Sequence, residues 1–354
     1  MKDRLLALLP TAVVAAFVAT ACGSSEVTPP SAAPRDVIAF AALESGDEPG
    51  YAIYLARPDG SDLRKLTDAT DVISFLRWSP TGDRIAYIVG AEEERPGRLL
   101  VYDFRTGQAI TVSEGATASR LGPAVSWSPD GRRLAFVEAI AGGGTRIFDV
   151  ERGELIATGE IPGASPDWSP AQDEIAVIVP DGSAGDTNLY LVDADGENLR
   201  RLVDRPGAEG NPRWSPDGRL LAFWSSPEDQ PDARQLLVVE RESGRLTELE
   251  PGYAAAWSPD GERLAYAGPA ASGNAANLDI FLVAADGGDL RRLSESVTVD
   301  RWPSWSPTGD RLAYLAQVDR QTAFVCVVQL EPEDRDCLPL PDHLLPGAPA
   351  WSPQ

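Results

Sequence analysis

Trp-Ser-Pro occurs seven times in this chain, beginning at Trp78, Trp127, Trp168, Trp214, Trp257, Trp305 and Trp351. Successive tryptophans lie 49, 41, 46, 43, 48 and 46 residues apart. A period of roughly 40–50 residues marks one supersecondary unit copied around a ring or along a solenoid. Each copy adds its own layer of core, so the 354 residues need not split into conventional domains of ~100–200 residues.

The copy from Asn211 to Phe223 shows what is repeated. Pro216 presets φ for the second position of a type I turn, and Gly218 supplies the positive φ that re-enters a strand. A short apolar run follows, here Leu220–Phe223, elsewhere Ile85–Tyr87, Leu134–Phe136, Ile175–Val177, Leu264–Tyr266 and Leu312–Tyr314. The two segments predict a β-hairpin. After a variable loop comes a third apolar run, such as Ile53–Ala56, Leu99–Tyr102, Leu189–Val192, Leu236–Val239 or Ile280–Val283. A polar turn then leads to a more charged fourth run, as in Leu63–Leu66, Leu199–Leu202 and Leu290–Leu293. Charge suits an outermost edge strand, because Arg and Lys block edge-to-edge pairing. Four antiparallel strands per unit, innermost to outermost, make a propeller blade.

Together the seven copies resemble the TolB-type, WD-repeat-like (PD40) β-propeller family and its Trp-Ser-Pro-Asp-Gly-x-x-Leu-Ala-Phe motif. The resemblance spans residues 36–354. Single copies are degenerate: Thr81-Gly82 and Thr308-Gly309 replace Asp-Gly, and Ala171-Gln172 replaces it in another. The resemblance implies an all-β protein, a single propeller of four-stranded antiparallel blades. Both chain ends bear on the blade count. Asp36–Phe40 is a second-strand motif with no Trp-Ser-Pro before it, and Trp351–Gln354 is a first-strand motif with no second strand after it. The C-terminal strand is therefore expected to complete the first blade, giving seven; six or eight are the alternatives. TolB-type members carry six blades and a separate α/β domain, for which there is no room between Cys22 and Asp36. A role in the Tol–Pal system is accordingly not carried over.

Residues 1–21 read as a secretory signal. Lys2 and Arg4 precede the apolar run Leu5–Ala21, and small residues lead to Cys22. The run is interrupted and short for a membrane span, which takes about 20 apolar residues. Cys22 after Ala21 resembles the lipobox of bacterial lipoproteins, which implies lipidation of Cys22 as the first mature residue. Ala19 stands where that family usually has Leu, and plain secretion is the alternative. Residues 22–35, rich in Ser, Pro and Ala, read as a flexible tether, leaving 36–354 as the folded body. Cys326 and Cys337 flank a polar turn. If the flanking runs form a hairpin centred on 331/332, the two face each other and can form a disulfide in an oxidising compartment. Two free buried thiols are the alternative.

The net charge of −23 argues against nucleic-acid partners, which need clustered Lys and Arg. It also argues against adsorption on anionic lipid, so membrane contact is expected through the lipid anchor only. No cofactor or metal is expected: His343 is the sole histidine and no CxxC occurs. There is no Gly-x-Ser-x-Gly elbow either. In the expected layout the long variable loops share one face, and function favours such loops. That face gathers Glu44, Asp47, Glu92, Glu93, Glu94, Asp181, Asp186, Glu228 and Asp229. They read either as solvated loop charge or as a negative rim that draws a cationic partner. Trp224 and Trp302, outside the motif, either stack on a ligand or pack under a loop. The motif tryptophans read as wedges between blades. The resulting expectation is a lipid-anchored, extracytoplasmic, monomeric binding or scaffold module for an envelope protein, peptide or glycan. The alternative is a hydrolase or lyase acting on a cell-surface polymer through paired carboxylates.

Overall fold

The computed structural model describes residues 34–353 apart from 46–48, 69–70, 91–95, 118–123, 140–143, 157–160, 182–185, 231, 271–276 and 296–297. Every regular element among them is a β-strand. Seven first strands end on the seven motif tryptophans: Ile73–Trp78, Val125–Trp127, Ala164–Trp168, Ala208–Trp214, Tyr253–Trp257, Val299–Trp305 and Leu344–Trp351. Six of them turn straight into second strands: Arg84–Val89, Arg133–Glu138, Glu174–Pro180, Leu220–Ser226, Arg263–Pro269 and Arg311–Gln317. The third strands are Gly97–Asp103, Gly144–Asp149, Thr187–Asp193, Gln235–Glu240, Leu278–Ala284 and Ala323–Leu330. The fourth are Gln108–Ala116, Glu154–Leu155, Arg200–Arg201, Leu246–Pro251, Arg291–Arg292 and Glu333–Cys337. The Trp351 unit takes its other three strands from the opposite end of the chain, Ile38–Glu44, Gly50–Ala56 and Arg64–Lys65. Within each unit the four strands pair antiparallel in that order. Two bridges, Ala116↔Glu138 and Thr187↔Ala208, join neighbouring units into larger sheets.

The motif serine closes each hairpin. Ser128 Oγ accepts from the Arg133 amide (2.8 Å), Ser215 from Leu220 (3.0 Å), Ser258 from Arg263 (3.0 Å) and Ser306 from Arg311 (3.0 Å). The following Asp accepts the serine proton, as in Ser128–Asp130 (2.7 Å) and Ser215–Asp217 (2.6 Å). Where Thr-Gly replaces Asp-Gly, an Asp two residues further on takes its place: Ser79 and Thr81 both donate to Asp83. The degeneracy of the motif is thus a shift of one carboxylate within a conserved turn. At the chain ends the same bonds form across 315 residues. Val37 N donates to Ser352 Oγ (3.2 Å) and Ser352 N to Val37 O (2.9 Å). Ile38 then pairs with Trp351 and Phe40 with Pro349.

The core lies between units rather than inside them. Alternate residues of one strand point to opposite faces. Ala39 and Ala41 accordingly pack with Trp78, Ile85 and Tyr87, whereas Ile38 and Phe40 pack with Ala313, Val325 and Val327. Each buried aliphatic side chain contributes roughly 1.5–3 kcal/mol. The tryptophans join the layers. Trp78 Nε1 donates to Ala350 O (3.0 Å), Trp127 to Arg77 O (3.4 Å), Trp214 to Asp167 O (3.0 Å), Trp257 to Arg213 O (2.9 Å) and Trp305 to Ala256 O (3.0 Å). Every acceptor is the residue just before the neighbouring unit's tryptophan. The motif tryptophans are wedges between units, as their repetition implied. Cys326 and Cys337 stand opposite each other in the last hairpin and are disulfide-bonded.

Candidate functional site

The first strands of all seven units line one cavity of about 1150 Å³. The residues preceding the tryptophans form a ring inside it: Ala350, Arg77, Ser126, Asp167, Arg213, Ala256 and Ser304. Two rules put them there. The tryptophan itself is drawn between units, so its predecessor points to the opposite face of the strand. Above it, most first strands carry a β-bulge. Ser165, Asn211, Ala254 and Trp302, each three residues before a tryptophan, adopt left-handed φ of 54°, 56°, 55° and 52°. The accompanying register shifts bend each strand end at the cavity.

One carboxylate ties the ring's charges together. Asp167 Oδ1 lies 3.0 Å from Arg77 Nη2 and 3.4 Å from Arg213 Nη1. Asp167 Oδ2 accepts the Trp214 amide at 2.9 Å, and Arg77 Nη1 donates to Val125 O at 3.2 Å. Burial, reinforced by Arg77, pushes the Arg213 guanidinium down to about 10 against the pull of Asp167, so it stays charged at neutral pH.

Towards the long-loop end the lining turns aromatic. Trp224 ends buried on its second strand, with the Arg234 guanidinium 4.6 Å above its ring. Arg234 also lies 5.3 Å from Tyr253. Among the described residues it has no carboxylate partner within 4 Å, so its charge is met by ring faces. Trp302 is 41% exposed and bulky for a left-handed φ, the type of local strain that clusters at working sites. The lining therefore holds three guanidinium groups and one carboxylate among the described residues, in a chain of net charge −23.

Of the residues singled out from sequence, the structure brings Trp224 and Trp302 to this cavity. The acids go elsewhere. Glu44 accepts from the Tyr54 hydroxyl and from Lys65 (3.1 Å); burial opposes ionisation, but these partners hold its carboxyl below the usual range. Asp181 pairs with Arg201, and Asp186 accepts the Gly207 amide (3.2 Å). Glu228 and Asp229 border a separate hollow of about 420 Å³ with Pro206 and Pro227. Asp47, Glu92, Glu93, Glu94 and Cys22 lie outside the described residues. Sequence reasoning missed Arg77, Asp167, Arg213, Arg234 and Tyr253. The first three carried a signal: aligning the seven motif copies places two arginines and an aspartate in a column otherwise filled by Ser and Ala.

Glu209 is a further buried acid. It is fully enclosed, neither oxygen has a hydrogen-bond partner among the described residues, and burial pushes its carboxyl up to about 8. It sits on a first strand but does not line the cavity. Among the described residues no three His, Cys, Asp or Glu gather as a metal site.

Comparison with known proteins supports the fold. The family described as the TolB beta propeller domain (PD40) matches residues 124–354, well over half of the chain. The chain is 30% identical over 201 residues to a protein named TolB homolog from Chlorobium luteolum, covering 54% of this chain and 42% of that protein. It is 26% identical over 218 residues to an uncharacterized peptidase, YuxL, of Bacillus subtilis, covering 48% of this chain and 33% of the relative. The chain thus spans less than half the length of either relative. The crystal structure of TolB from Acinetobacter baumannii superposes with a TM-score of 0.57 at 18% identity, over 90% of this chain and 67% of that one. An all-β chain with seven Trp-Ser-Pro hairpins and this match belongs to the TolB β-propeller family.

Proposed function

We propose that this chain is a binding or scaffold module at the cell envelope, a seven-bladed propeller with its partner site at the long-loop mouth of the central channel. The observation that carries the reading is a single cavity lined by the first strands of all seven units, with Trp224, Tyr253 and Trp302 at one end. Aromatic faces around a concave opening are the usual anchor for a protein or peptide partner. The bonds between Ser352 and Val37 support a ring clasped by the C-terminal strand as the first blade's innermost strand. In this reading residues 1–21 are a signal peptide, lipidated Cys22 and the tether to residue 35 hold the protein to the membrane, and 36–354 is the monomeric propeller.

Affinity capture from detergent-solubilised envelope tests it. A partner retained by the wild type and lost on Trp302→Ala supports the mouth as the site. Loss on replacing Glu92–Glu94 by Ala, with Trp302→Ala still binding, moves the site to the acidic loops. Turnover of a cell-surface peptide or glycan without a captured partner replaces the binding reading by a hydrolase or lyase. Cys22→Ser should abolish lipid labelling; persistent labelling would refute the anchor.

A further inference from the structure

We propose that the ring of residues before the tryptophans seats one carboxylate, the free C-terminus of a peptide that enters by the long-loop mouth. This rests on the proposed partner site at that mouth and names the chemistry it takes. Asp167 stands between Arg77 and Arg213 and is spent on the protein itself. Its side chain is only 5% exposed, and it accepts from both guanidiniums and from the Trp214 amide. The two arginines keep 31% and 26% of their side-chain surface open. Two guanidinium charges against one carboxylate leave one positive charge at this level of the channel. A second carboxylate neutralises it, and guanidinium forks bind carboxylates through paired, charge-assisted hydrogen bonds. The recessed, partly desolvated position strengthens that attraction relative to open water.

The number of charges selects the occupant. A polyanion meets a surface of net charge −23 before it reaches the ring, and long-range repulsion opposes its entry. A peptide end brings the single charge that the ring lacks. Trp224, Tyr253 and Trp302 offer ring faces to the apolar side chains that precede the carboxylate. Arg234, held over two of those rings and without a carboxylate of its own, presents N–H donors to the peptide carbonyls.

The test uses the folded protein labelled with 15N in arginine. It is titrated with acetyl-Ala-Ala-Ala-Phe carrying a free carboxylate and, separately, with the same peptide as the C-terminal amide. The acid should shift the Nε–Hε signals of Arg77 and Arg213 and saturate at millimolar concentration or below, while the amide leaves them in place. The Arg77→Gln/Arg213→Gln double variant should bind the acid at least about tenfold more weakly. Asp167→Asn, which frees both guanidiniums, should bind it about tenfold more tightly. Melting curves of all variants separate lost binding from lost folding, and because the two substitutions act in opposite directions, a general loss of stability cannot imitate both. Equal binding of acid and amide, no saturable shift at millimolar acid, or weaker binding by folded Asp167→Asn would overturn the proposal. Tighter binding of digalacturonate than of the peptide acid would overturn the choice of a peptide. Envelope partner capture that survives the double Arg variant but not Trp302→Ala would keep the mouth as the site and remove the carboxylate.

Discussion

The Trp-Ser-Pro rim and the channel lining lie one residue apart in sequence, yet they follow opposite rules. At the rim, copy after copy does the same task. Four serines accept an amide five residues on at 2.8–3.0 Å, and five indoles donate to the neighbouring unit. In the lining, the residue before each tryptophan is free to differ, and it does: two Arg, one Asp, two Ser and two Ala. Repetition carries the fold, and the departures from repetition carry whatever the channel recognises. The division has a physical cause. A position that bridges two units must satisfy both neighbours, whereas one that faces the lumen has only solvent or a ligand to satisfy.

Disturbing the rim should cost far more than disturbing the lining. Removing residues 349–354 takes away Trp351 and Ser352 and unpairs Ile38–Phe40, so several kcal/mol should be lost. A fall in the midpoint of thermal unfolding checks this, and an unchanged midpoint would break the proposed clasp. Trp214→Ala should cost about 3–5 kcal/mol in denaturant titration, because it empties the interface with the neighbouring unit and leaves Asp167 O without its donor. A loss below about 1 kcal/mol would show that the rim does not carry the fold.

Glu209 separates burial from the lining by its pH response. Its folded-state value of about 8 lies above the ordinary 4.5. Between these limits the folded state holds a proton that the unfolded state has released, so stability falls as pH rises, by up to about 1.4 kcal/mol per pH unit. Glu209→Gln should flatten that stretch of the stability profile and raise stability above pH 8; a profile with the same slope would show the acid to be ionised where it stands. The smallest effect belongs to the lining. Arg234→Gln removes a guanidinium from over Trp224 and Tyr253, and should cost no more than about 1 kcal/mol. A larger loss would make Arg234 part of the frame rather than of the recognition surface.

Much of the fold was legible because it is periodic. The spacing of Trp-Ser-Pro, the turn chemistry of Pro216 and Gly218, and the complementary fragments at Val37 and Ser352 are all local signals repeated along the chain. The site was less legible. Loop position gathered Glu44 and Asp181 into one acidic rim, but both are occupied by neighbours on their own units, Lys65 with Tyr54 and Arg201. Trp224 and Trp302 were found because they stand outside the motif. Arg77, Asp167 and Arg213 hid inside it, next to a residue whose role was structural. Their meeting depends on left-handed bulges at Ser165, Asn211, Ala254 and Trp302, which are not glycines and give no local sign of positive φ.

Site-specific photo-crosslinking in the intact envelope tests the channel mouth most directly. A benzophenone amino acid in place of Trp302 samples the mouth, and one in place of Leu155, exposed on the outer edge of the Trp127 unit, samples the periphery. A discrete partner captured from position 302 and absent from position 155 is the result expected here. Capture of the same partner from position 155 alone would contradict the assignment of the mouth as the binding site.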